Sequence, residues 1–170
     1  MQQDTVSVRR ARREDFGALS RLIEALADYE KLDRPNADAL ERLEADGWPE
    51  DGAARFTAWI AEDGNSGGKA VGYAITFPTY SSFLALPTLY IEDLFVLPDC
   101  RSRGIGRAIM KRLAEEALRT GCGRIEWVVL EWNTDAQRFY DRIGGKQLGD
   151  WQYYRMQREE FAGLVGQSGT

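Results

Sequence analysis

Apolar residues along this chain change their spacing several times, and each change marks an element. Val6 and Val8 alternate with polar neighbours, so residues 5–10 read as a short strand. Phe16, Leu19, Leu22, Ile23 and Leu26 then recur every three or four positions, which predicts a helix over 14–29. A shorter helical stretch covers 37–45 and ends at Asp46-Gly47-Trp48-Pro49. Residues 56–61 and 70–77 read as antiparallel strands joined by Asp63-Gly64-Asn65-Ser66-Gly67-Gly68, a run of turn formers. Residues 78–87 hold two aromatics without a period and read as a loop. Residues 88–97 read as the central strand, stopped by Pro98.

The second half begins with a helix over 104–120, with Ile105, Ile109, Leu113 and Ala117 on one face and Met110, Ala114 and Leu118 beside it. Gly121 and Gly123 follow its end, as glycines commonly do. Residues 125–131 read as a buried strand. Asn133 is placed to cap a helix over 134–143, with Gly144 and Gly145 beyond it. Residues 151–156 read as a last strand, and 161–170 as a frayed turn and loose tail. The order β-α-α-β-β-β-α-β-α-β describes an α/β chain with a mixed sheet. No repeat or linker interrupts it, so 1–170 is expected to be a single domain with its core over about 6–158.

Composition narrows the chemistry. The 170 residues include no histidine, which removes the usual general base near neutral pH, the commonest metal ligand and every Ser-His or Cys-His dyad. Two cysteines without histidine make no zinc site of the usual kind, and they are too few for a disulfide framework. A metal-free protein in a reducing cytoplasm is therefore expected. No apolar run is long enough for a membrane span, and the first residues lack a signal core. The formal net charge of −5 argues against nucleic acid and suits a cationic small molecule.

One stretch is basic within this acidic chain. Arg101-Ser102-Arg103-Gly104-Ile105-Gly106-Arg107 links the central strand to the long helix. The glycines allow close backbone approach, and the free N–H groups of a helix start, with its dipole, make an anion site suited to a pyrophosphate. Arg101, Arg103 and Arg107 add guanidinium groups that match phosphate oxygens. A Walker loop is excluded because no G-x-x-x-x-G-K-[ST] run exists. A dinucleotide fingerprint fits only partly: Gly104 and Gly106 take its first two places, Ile109 stands at the third, and Glu126 lies about 20 residues on.

The pattern Arg101-x-x-Gly104-x-Gly106 follows a strand holding Glu92 and Asp93, and it resembles the acetyl-CoA loop of the GNAT N-acetyltransferases. Leu130-Glu131-Trp132-Asn133 followed by Phe139-Tyr140 resembles that superfamily's second half-site. Tyr29-Glu30, Tyr90-Ile91-Glu92-Asp93 and Asp150-Trp151 are similar to the spermidine/spermine (diamine) and thialysine acetyltransferase branch. The match covers about residues 6–158. It implies the GNAT fold, with a mostly antiparallel mixed sheet flanked by helices, and transfer of acetyl from acetyl-CoA to a primary amine by direct attack. The cofactor would be held by Arg101, Ser102, Arg103, Gly104, Ile105, Gly106 and Arg107, by the backbone of Phe95 and Val96, and by Asn133, Phe139 and Tyr140. It also implies a homodimer, with 78–87 and the C-terminal strand as candidate contacts.

Glu92 and Asp93 interrupt an apolar strand, where alternation sends their side chains to opposite, buried faces. Either each is matched by a buried arginine or by backbone N–H groups, or Glu92, raised by burial, takes a proton from the acceptor amine through water while Asp93 contacts the cation. The resemblance favours the second. Tyr140 stands seven residues after Asn133, on the same helical side; it is either a core aromatic or, by resemblance, the acid that protonates the departing thiolate. Asn133 is either a plain N-cap or a contact to the pantetheine arm. Cys100 lacks a base partner and reads as an inert small side chain. Tyr29, Glu30, Glu126, Trp127 and Trp151 are candidates for the acceptor pocket, since aromatics and carboxylates suit an ammonium. The loop Tyr80-Ser81-Ser82-Phe83-Leu84 lacks the acid that polyamine-acting members carry, so a short diamine or an amino acid with a side-chain amine is as good an acceptor. Rival readings are acetylation of a protein N-terminus or lysine, and a non-catalytic acyl-CoA sensor.

Overall fold

The computed structural model describes residues 6–166. Of these, the residues through Leu130 form one compact unit and those from Glu131 a second. The first unit carries a five-stranded sheet in simple sequence order: β1 (Val6–Arg10), β2 (Thr57–Asp63), β3 (Lys69–Ser81), β4 (Leu86–Val96) and β5 (Arg124–Trp127). Neighbours are antiparallel except β4 and β5, which run parallel. Helices α1 (Phe16–Glu30), α2 (Ala37–Gly47) and α3 (Ile105–Arg119) complete this unit.

Each sheet face has its own apolar cluster. Leu19 and Leu22 of α1 pack with Ala58, Ile60, Tyr73, Ile75 and Phe95 on one side. Ile105, Ile109, Leu113 and Ala117 of α3 lie at four-residue steps, hence on one stripe, and pack with Trp59, Val71, Ala74, Leu89, Ile91 and Val96. The strands between are buried on both faces and read as apolar runs for that reason. The Trp59 indole N–H is satisfied inside the core by Thr76 Oγ1 at 2.9 Å.

In the second unit, α4 (Thr134–Arg142) starts at Asn133, whose Oδ1 accepts from the Ala136 N–H at 3.2 Å. Gly144, at φ 94°, ends the turn that follows. A further helix, α5, covers Arg158–Gly166.

Four expectations are corrected. Residues 78–87 are not a loop: β3 and β4 continue through them as a hairpin, with Pro78 opposite Leu89 and Ser81 opposite Leu86. Pro78 is tolerated because β2 pairs only as far as Thr76, so its missing N–H falls where β3 has a neighbour on one side. The strand expected over 125–131 is limited to Arg124–Trp127. Residues 151–156 form no strand, since a strand exists only by pairing and all six side chains there are exposed. The stretch expected to be a frayed tail is helical through Gly166, and 167–170 lie outside the described residues.

Candidate active site

The first group of functional side chains comes from a break in the β3–β4 ladder. Ile75 pairs with Asp93 and Thr76 with Ile91, so Glu92 is an extra residue on β4, a β-bulge. The bulge resets the alternation. Phe95 belongs to the α1-side cluster, whereas Ile91 and Leu89 belong to the α3-side cluster. Glu92 and Asp93 therefore line one open pocket instead of pointing to opposite faces. The pocket has a volume of about 420 Å³, with Ile23, Leu43, Arg55, Phe56, Ile75 and Phe77 as its other walls. Glu92 is exposed there and Asp93 half-buried, whereas the sequence led one to expect both side chains on buried faces.

Desolvation raises the Asp93 carboxyl to about 6, with Glu92 and Glu30 adding like-charge repulsion. The phenol of Tyr73 opposes this by donating to Asp93 Oδ2 at 3.2 Å. Tyr73 is fully buried, and burial next to that carboxylate pushes its own pKa up, so it remains a donor. Glu30, at the end of α1, is also raised by burial. An apolar pocket with two adjacent carboxyls can hold an ammonium and accept its proton.

The second group sits between β4 and α3. The β5 ladder stops at Ile91 opposite Trp127, so from Glu92 to Val96 the strand has β3 on one side and, among the described residues, no strand on the other. Beyond it, Ser102 and Gly104 take positive φ values of 63° and 81°. Gly104 caps α3 with no side-chain bond, and a Cβ added there would meet nothing within 4 Å. Among the described residues, the backbone N–H groups of 102–107 have no acceptor in the protein. The three arginines of the turn differ. Arg101 donates from Nε to the Val96 carbonyl at 3.0 Å and stacks on Tyr29, 4.4 Å from its ring centre. Arg103 donates to the Asp99 carbonyl at 2.8 Å and lies 3.5 Å from the buried Asp63 carboxylate. Arg107, exposed on the first turn of α3, is the one not held by the fold. Phe95 and Ile105 are buried, which leaves only their backbone groups to offer a ligand.

Other expected residues fall elsewhere. The Tyr29 ring also lies 6.1 Å from that of Phe95, so it faces the end of β4. Glu126 pairs with Arg124 at 3.0 Å and does not line the pocket. Cys100 is buried. In the second unit, Asn133 is an N-cap, Phe139 and Tyr140 have ring centres 5.1 Å apart, and Trp151 is exposed. Burial pushes the Tyr140 phenol up to about 12. Sequence reasoning missed Tyr73 and Arg55. Tyr73 reads as an ordinary strand aromatic, and its link to Asp93 depends on the bulge. Arg55 sits beside Phe56 just before β2, and its charge within an apolar flank was the available signal.

A strand edge left open, orphaned N–H groups at a helix start, and a pocket with two carboxyls are features that suit group transfer between an anionic donor and a cationic acceptor. Residues 19–145 match the model of the acetyltransferase (GNAT) family, and the chain belongs to that family and is an acetyltransferase. It is 35% identical over 167 residues to a thialysine N-epsilon-acetyltransferase of Mus musculus, covering 94% of this chain and 96% of the relative. It is 38% identical over 85 residues to an L-ornithine N5-acetyltransferase of Arabidopsis thaliana, covering 50% of this chain and 37% of that one. An integron cassette protein of V. cholerae has the same fold, with a TM-score of 0.79 at 23% identity over 95% of this chain and 98% of that one.

Proposed function

We propose that this chain transfers acetyl from acetyl-CoA to the primary amine of a small cationic acceptor: a diamine, a polyamine or an amino-acid side chain. The observation that carries the reading is the β4 bulge, which brings Glu92 and Asp93 together in one apolar pocket. The donor fits the cradle: the orphaned N–H groups of 102–107 and the free Arg107 would hold a pyrophosphate, and the open edge at Phe95 and Val96 would pair with amides as an added strand does. When bound, acetyl-CoA supplies an activated acyl carbon.

The residues of the chain manage the protons. Asp93 holds the acceptor ammonium by charge, and Glu92 takes its first proton through water. A C–N bond forms as the C–S bond breaks, with a strand N–H near Val96 stabilising the developing oxyanion. The second nitrogen proton leaves to solvent by the same carboxylate. Tyr140, whose raised phenol keeps its proton at neutral pH, delivers it to the departing sulfur and recovers one from water. Asn133 and Phe139 serve the cofactor from the same segment. In this reading the protein works as a homodimer in the cytoplasm, with no part for nucleic acid, metal or membrane. The exposed Tyr80, Phe83, Leu84 and Leu86 at the β3–β4 hairpin supply an apolar contact surface for the dimer. No described helix is long and apolar enough to cross a membrane.

The test is Tyr140→Phe. Turnover falls about 10²-fold, the scale of general acid catalysis, while acetyl-CoA still raises the melting temperature as it does in the unaltered protein. An unchanged rate removes Tyr140 from the mechanism.

A further inference from the structure

The acceptor pocket has a cation in its wall. Arg55 lies between α2 and β2, and Asp46 at the end of α2 fixes it twice. The Arg55 backbone N–H donates to the Asp46 carbonyl at 2.9 Å, and its Nε pairs with Asp46 Oδ1 at 2.8 Å. The side chain is nevertheless 78% exposed. Among the described residues its side chain makes no ion pair besides that with Asp46, and none with Glu92 or Asp93 although all three line the same pocket. Residues of opposite charge thus line one pocket without pairing with each other. Ile23, Leu43, Phe56, Ile75 and Phe77 form the apolar surface around them.

That arrangement discriminates among small amines. A diamine or polyamine presents a second ammonium, and a fixed guanidinium in the wall repels it. An amino acid with an amine at the end of its side chain presents the opposite: an ammonium for the two carboxyls and, a few methylenes away, a carboxylate. A guanidinium whose Nε is already anchored keeps its terminal nitrogens pre-organised for such a carboxylate. The volume of about 420 Å³ lies in the range of small-molecule sites. As a surface ion pair alone, Arg55–Asp46 would contribute little to stability.

We propose that Arg55 is the residue that reads the acceptor's carboxylate, so that this chain acts on α-amino acids carrying a side-chain primary amine in preference to the matching diamines. The inference rests on the reading of this pocket as the acceptor site.

Matched acceptors test it, because ornithine differs from putrescine, and lysine from cadaverine, by the carboxylate alone. Thiol release from acetyl-CoA gives kcat/KM for each. In the unaltered protein the amino acid exceeds its diamine by roughly 10-fold or more, the worth of one charge-assisted hydrogen bond. Arg55→Ala lowers that ratio by about 10- to 100-fold, and Arg55→Lys, which keeps the charge without the fork, lowers it less. A second comparison needs no variant: lysinamide, with the carboxylate neutralised, falls below lysine by a similar factor on the unaltered protein. Diamines equal to their amino acids, a ratio within about twofold in a folded Arg55→Ala protein, or lysinamide equal to lysine would each overturn the role of Arg55 and leave the acetyltransferase reading standing. Silence with every amine, while acetyl-CoA still raises the melting temperature, would overturn the acceptor reading and this inference with it.

Discussion

Asp93 is the residue on which several physical effects meet. Burial and the neighbouring carboxylates Glu92 and Glu30 push its pKa up, while the Tyr73 phenol, donating to Oδ2, pulls it down. Arg55 stands elsewhere on the same wall. A carboxyl at about 6 is charged above that pH and neutral below it, so its grip on an ammonium is lost as pH falls. We predict that log kcat/KM for the amine bends downward on the acid side near pH 6. Tyr73→Phe removes the donor that stabilises the carboxylate, so the bend moves to higher pH; the same bend in both proteins would contradict this. The importance of Glu92-Asp93 was legible in the sequence because two acids interrupt an apolar run. Their shared side was not, since strict alternation places neighbours on opposite faces and only an extra residue in the ladder undoes it. The Tyr73 bond was illegible for the same reason: it joins residues 20 positions apart through a register that no local pattern encodes.

Among the elements, β3 and β4 position both candidate sites, and one glycine lets them lie together. A Cβ at Gly72 would stand 2.8 Å from the Phe95 carbonyl oxygen, closer than real side chains approach. Since the obstacle is backbone, Gly72→Ala must shift β3 against β4 near the open edge. We predict a loss of about 1–3 kcal/mol, read as a fall in melting temperature of roughly 2–12 °C, together with weaker acetyl-CoA binding. An unchanged melting temperature would show that the strands adjust freely. Helices α1 and α3 were legible from their stripes, and the Asn133 cap from its residue type, because these signals are local. The hairpin through 78–87 was not: Pro78 and a short aromatic run look like a loop until a partner strand accepts them. Residues 151–156 show the converse, a strand-like composition that finds no ladder.

At the scale of the whole molecule, an acidic chain of net charge −5 keeps one basic turn and one acidic pocket within its first compact unit. That separation suits an anionic donor and a cationic acceptor, and the field around the pocket favours the approach of the cation. We predict that kcat/KM for a cationic amine falls as ionic strength rises from about 0.01 to 0.5 M, because screening shortens the reach of that field. A rate independent of salt would assign recognition to short-range contacts alone. Thiol release from acetyl-CoA by the unaltered protein, followed across putrescine, cadaverine, spermidine, ornithine, lysine, thialysine and a short peptide, decides whether the pocket takes small amines. Saturable release is expected with the small amines, the amino acids leading, and little with the peptide. Release with the peptide alone, or none at all from a protein that still binds acetyl-CoA, would contradict it.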